Sequence, residues 1–140
     1  MRASLKRTRS EFLNADLDLK SPVDLGPLVH AFGRRVLVLH VDRIGRRHWV
    51  RLTLARQPRT PAEAIRGFAT LVAGLPRQGR AIWARADKEF DIGVQGGFEP
   101  RSAEWVLEPK IVQALARLGA QVRLTVYSPP LDVRRRTPRP

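Results

Sequence analysis

The residues best suited to chemistry gather in the stretch DRIGRRHWVR, where Arg43, Arg46, Arg47 and Arg51 surround Trp49. Guanidinium groups make paired hydrogen bonds to phosphate or carboxylate, and an indole beside them offers a face to a base or an apolar side chain. The combination marks a contact surface for a nucleic acid or a protein partner. A charged turn whose Trp packs on its neighbours has the same composition, so the pattern identifies a place and not a ligand.

A second group comprises Asp16, Asp18, Glu89, Asp91 and Gln95, which alternation along two strands brings to one sheet face with Arg51, Thr53, Arg123, Thr125 and Tyr127. Clustered carboxylates serve acid–base work or a divalent ion. Interleaved with cations, however, they also make ordinary cross-strand ion pairs on a solvated sheet. His30, His40 and His48 are the only histidines; His40 and His48 flank a turn, but two imidazoles without a third ligand make a poor zinc site. Gly93-Val94-Gln95-Gly96-Gly97 lacks the Lys-Ser/Thr of a phosphate loop, and no helix opens directly behind it. There is no Gly-x-Ser-x-Gly, no His-Glu-x-x-His and no cysteine. The expectation is a non-enzymatic protein with no catalytic residue, no metal site and no cofactor.

The elements that position these residues follow from periodicity. Phe12 to Lys20 alternates Ala15, Leu17 and Leu19 with Asp16, Asp18 and Lys20, as a half-buried strand does. Asp24 is placed to cap a helix with apolar positions Leu25, Leu28, Val29 and Phe32, ended by Gly33. Val36 to Val41 is an unbroken apolar run, which predicts a strand covered on both faces. A turn containing Gly45 leads to a returning strand, His48 to Ala55. Thr60, Pro61 and Glu63 form a capping box for a helix with the stripe Ile65, Phe68, Ala69 and Val72, and a shorter helix follows from Arg77 to Ala86.

Phe90, Ile92 and Val94 then mark a strand, and Ala103 to Leu107 a short one. Pro109 opens a helix carrying Ile111, Val112, Leu115 and Leu118, closed by Gly119. A last strand runs to Tyr127 before Pro129-Pro130. Two segments echo each other: Val29 to Val41 and Leu115 to Tyr127 both run helix, glycine, two residues, strand. The order predicts an α+β fold. It is a mixed β-sheet with helices on one face, a ferredoxin-like βαββαβ unit extended by a C-terminal helix and strand. In that topology the second strand is an edge, at odds with its apolar run.

The chain of 140 residues suits one domain, expected over residues 11–130, between a disordered basic tail at 1–10 and a Pro/Arg-rich tail at 131–140. Of the net charge of +13, residues 1–10 supply +4 and residues 134–140 another +4, which leaves +5 for Glu11 to Val133. Basic tails add weak, sequence-independent attraction to nucleic acid. Arg outnumbers Lys by 22 to 4, a bias that codon composition in the source genome can produce without any binding function. No stretch approaches the length of a membrane span, and the expected location is cytoplasmic.

Three features carry a resemblance over roughly residues 12 to 128: the opening strand LNADLDL with its capped helix, the phenylalanine-led strand FDIGVQ, and the closing helix–Gly–strand from Leu115 to Tyr127. In these the chain resembles a family of small uncharacterised bacterial α+β proteins of unknown function. The resemblance implies a fold and attaches no activity or cofactor. The functional expectation is a protein-interaction or regulatory module, of which an immunity-type protein is one form, with an unknown protein partner. The alternative is a nucleic-acid-binding accessory protein using the basic hairpin and the Arg-rich tails.

Overall fold

Alternating apolar residues cannot be buried by one strand alone, and here five strands share the task in one mixed sheet, ordered β2-β3-β1-β4-β5. The computed structural model describes residues 9–129; the basic and Pro/Arg tails lie outside the described residues, apart from Arg9 and Ser10. The strands are β1 (Glu11–Ser21), β2 (Val36–Ile44), β3 (Arg47–Leu54), β4 (Asp87–Gln95) and β5 (Ala120–Tyr127). The helices are α1 (Gly26–Phe32), α2 (Pro61–Ala73), α3 (Arg77–Arg85) and α4 (Pro109–Leu118), with a 3-10 turn at Gly33–Arg35. β1 lies at the centre, antiparallel to β3 (Leu17 opposite Leu52) and to β4 (Leu17 opposite Phe90). β5 joins β4 in parallel, and β2 pairs antiparallel with β3.

One side of the sheet is apolar. Leu17, Leu19, Leu52 and Phe90 form a continuous cluster with Leu28 and Phe32 of α1, Ile65 and Phe68 of α2, Ile82 and Trp83 of α3, and Ile111 and Leu118 of α4. Phe68 and Phe90 meet with tilted rings 5.6 Å apart, a favoured aromatic arrangement. The Trp83 indole N–H donates to the Leu118 carbonyl, which ties α3 to the end of α4. Local signals hold where the chemistry is local. The Thr60 hydroxyl accepts from the Glu63 N–H while the Glu63 carboxylate accepts from the Arg59 N–H. Gly119 closes α4 at φ 68°, a conformation that favours glycine.

Several expectations need correction. β2 is not covered on both faces: it is an edge strand, and Leu37, Val38, Leu39, Val41 and Ile44 are all exposed. β5 forms the opposite edge of the sheet. The unbroken apolar run instead reflects a β-bulge between Val38 and His40. One extra residue there reverses the alternation. His40 and Asp42 then sit opposite Arg51 and Trp49, while Val41 lies opposite Val50. Ala103 to Leu107 is irregular, although Trp105 packs half-buried against Ala15, Ala64, Ile92 and Val94. Asp24 is not the helix cap; it precedes the Leu25 N-cap by one residue, and its carboxylate accepts from the Gly26 N–H. Val112 is exposed, as are Val122, Leu124 and Val126 on β5.

Candidate functional site

The hairpin residues do not form a single free patch. Arg51 is committed to the polar sheet face, where it grips Asp18 through Nε (2.9 Å) and Nη2 (2.7 Å) and lies 3.8 Å from Asp91. Trp49 donates its indole N–H to Asp18 (3.1 Å), and its ring lies 4.5 Å from that of His40. The Lys20 ammonium lies over the same indole. Arg47 pairs with Asp87 on β4. Arg43 and Arg46 are exposed at the turn, where Gly45 adopts φ 62°, and neither takes part in an ion pair among the described residues. The hairpin therefore divides into Arg47, Trp49 and Arg51, clamped by carboxylates, and Arg43 and Arg46, free at the tip. His40 and His48 do not oppose each other, because His48 lies across from Arg43.

The carboxylate face is a network of ion pairs and hydrogen bonds. Burial raises the proton affinity of Asp16, and repulsion from Asp91 and Asp18 adds to it, against the attraction of Arg51. Burial pushes Asp18 the same way, yet hydrogen bonds from Arg51 and Trp49 outweigh it and leave the carboxyl below its usual range. Arg51 is held protonated all the more firmly by its bond to Asp18. Thr125 donates to Asp91, and Arg123 pairs with Glu89 at 2.9 Å. Among the described residues no cluster of histidine and carboxylate side chains has the form of a metal site. Lys88 has its pKa lowered by burial while its ammonium donates to the Trp83 carbonyl (2.8 Å), an internal tether.

Two other features have no place in that network. The first is the pair of apolar sheet edges. On β2, Leu37 and Ile44 project to one side of the sheet and Val38 and Val41 to the other, and Val41 is 69% exposed. On β5, Val122, Leu124 and Val126 share one side and Tyr127 lies on the other. An edge strand presents unpaired backbone groups, and exposed aliphatic residues on it invite another chain. The second is a groove of about 1060 Å³ at the end of β3, lined by arginines from three separate elements.

No family model, curated protein or solved structure matches this chain. The functional reading therefore rests on its own surfaces. Sequence patterns missed the groove because its arginines are scattered: Arg34-Arg35 follow Gly33, Arg56 and Arg59 flank Gln57-Pro58, and Arg66 is on α2. The local signal was the density of arginine in RR and ARQPRT, but only strand pairing joins the two segments. The Ala55 N–H bond to the Arg35 carbonyl (2.9 Å) makes that connection.

Proposed function

We propose that this chain is a non-enzymatic protein-interaction or regulatory module that captures an extended segment of a partner protein along the edge of β2. In this reading the first four strands are a ferredoxin-like unit with its helices on one face, and β5 extends the sheet on the far side. The strand order β2-β3-β1-β4 and the single large apolar cluster support that arrangement.

The observation that carries the functional reading is the exposed aliphatic edge of β2, apolar on both sides of the sheet. Adding a strand there satisfies the open backbone groups and buries aliphatic area at once, the two sources of affinity in strand addition. Arg43 and Arg46 flank the hairpin end of this edge and supply cations to the partner, which gives the tip of the basic hairpin its role. A module of this kind needs no cofactor. No described helix is long and apolar enough to cross a membrane, a statement about helices alone. We place its action in the cytoplasm.

The test is capture of a partner at high salt by the wild-type chain and by Val38→Ser/Val41→Ser. A protein retained by the wild type and lost with the double variant supports the module. Capture that occurs only at low salt and disappears on nuclease treatment overturns it in favour of a nucleic-acid-binding accessory protein.

A further inference from the structure

The groove at the end of β3 gathers five guanidinium side chains: Arg34 and Arg35 from the 3-10 turn, Arg56 and Arg59 from the β3–α2 connection, and Arg66 from α2. All five are exposed, and none belongs to an ion pair between described residues. Glu63 is the single acid in the lining, and its carboxylate is occupied at the helix start by the Arg59 N–H (2.8 Å). Five like charges lining one groove, with a single carboxylate among them, repel one another. The concentration of unsatisfied positive charge is the complement of an anionic ligand.

The floor decides which kind of anion. Leu54, Pro58 and Leu71 line the groove, and Gly67 makes the floor shallow by letting Leu54 approach α2 directly. A Cβ at Gly67 would meet the Leu54 Cδ1 at 2.6 Å. No aromatic ring lines the groove, and aromatic rings are what hold single-stranded bases. Aliphatic floor and arginine rim together match a peptide that carries acidic residues interleaved with aliphatic ones. Carboxylates take the paired guanidinium hydrogen bonds, and alternate side chains rest on Leu54, Pro58 and Leu71.

Position supports the same ligand. Arg34 and Arg35 immediately precede Val36, the first residue of β2, so a segment laid along the β2 edge continues into the groove. We infer that the groove binds an acidic, aliphatic-containing segment of the partner protein, continuous with the strand added to β2. This rests on the protein-interaction reading above and specifies its partner: an aliphatic strand adjoining an acidic run.

The experiment uses the full chain and two labelled ten-residue peptides, one alternating Glu and Leu and one alternating Glu and Ser, followed by anisotropy across a salt series. Binding of the Glu–Leu peptide is expected to weaken as salt rises. In Arg56→Gln/Arg66→Gln it should fall roughly tenfold, the combined effect of two exposed charge contacts. Both arginines are exposed, so an unchanged melting temperature will show that the variant is folded. The Glu–Ser peptide should bind more weakly than the Glu–Leu peptide, since it leaves the floor empty. Equal binding of the two peptides, or binding indifferent to the arginine variant, overturns the inference. So does tighter binding of duplex DNA or inorganic polyphosphate at the same salt, lost in the same variant. Val38→Ser/Val41→Ser should leave binding of the short acidic peptide intact. Failure at the groove is thereby separated from failure at the edge, because partner capture can survive the first and not the second.

Discussion

Asp18 and Asp16 stand two residues apart on the same strand face, yet the structure requires opposite consequences from neutralising them. Asp18 accepts two hydrogen bonds from Arg51 and one from Trp49. Asp18→Asn removes the charge that holds them, although the amide oxygen keeps one bond and Arg51 keeps Asp91 within 3.8 Å. Losing one charge-assisted pair of this kind costs about 2 kcal/mol. For a domain of this size that is a fall of roughly 8 °C in melting temperature. Asp16 is 8% exposed and carries its charge against the cost of burial. Asp16→Asn removes that cost and should leave the melting temperature at neutral pH unchanged or raised.

The pH dependence sharpens the contrast. Asp18 has a folded pKa below the ordinary aspartate value of 3.8, so its contribution is fully present above that value and vanishes as pH falls through the folded pKa. The gap between wild type and Asp18→Asn should thus be constant from neutral pH down to about pH 5 and shrink as pH falls below 3.8. For Asp16 the folded pKa is raised, so the penalty applies above it and is relieved as pH falls toward 3.8. Thermal melts of the three proteins from pH 7 to pH 3 provide the measurement. Equal destabilisation by both variants at neutral pH, or an Asp18 gap that persists undiminished at pH 3, refutes this account of the network.

Two further perturbations probe the scaffold. Thr60→Ala removes the hydroxyl that accepts the Glu63 N–H, and urea unfolding should show a loss of about 1 kcal/mol. Trp83→Phe deletes the indole donor to the buried Leu118 carbonyl, and its loss should be about 1–3 kcal/mol, with amide exchange accelerated first in α4.

What could be read in the sequence was what neighbouring residues decide among themselves. The Thr60–Glu63 box, the Gly119 terminator and the alternation of Phe90, Ile92 and Val94 are each set within a few positions and appear as expected. β2 was misread because an uninterrupted apolar run has the same composition whether it is covered or exposed. The bulge at Leu39 leaves no local mark beyond an extra residue. The exposure of the β5 valines is equally invisible locally: edge position depends on strand order, which adjacent residues do not encode. At the candidate site, the residues of the hairpin were identifiable but not their partners. Arg51 and Arg47 are neutralised by Asp18 and Asp87, which come from distant strands. The groove arginines are assembled by tertiary structure alone.

The central place of β1 also governs the order in which this molecule can form. Of the five strands it leaves the ribosome first, yet it pairs with β3 on one side and β4 on the other, and its Leu17 waits for Leu52 and then Phe90. Until β4 emerges, one flank of β1 has no partner and the cluster around Phe90 cannot close. In that interval the native pairings available to the nascent chain are those of β1, β2 and β3, which leave β1 and β2 each with an open border, and long-range pairings of this kind form slowly. Slowed translation or loss of chaperone capacity before β4 is complete should therefore harm the yield of this protein more than the same disturbance after it.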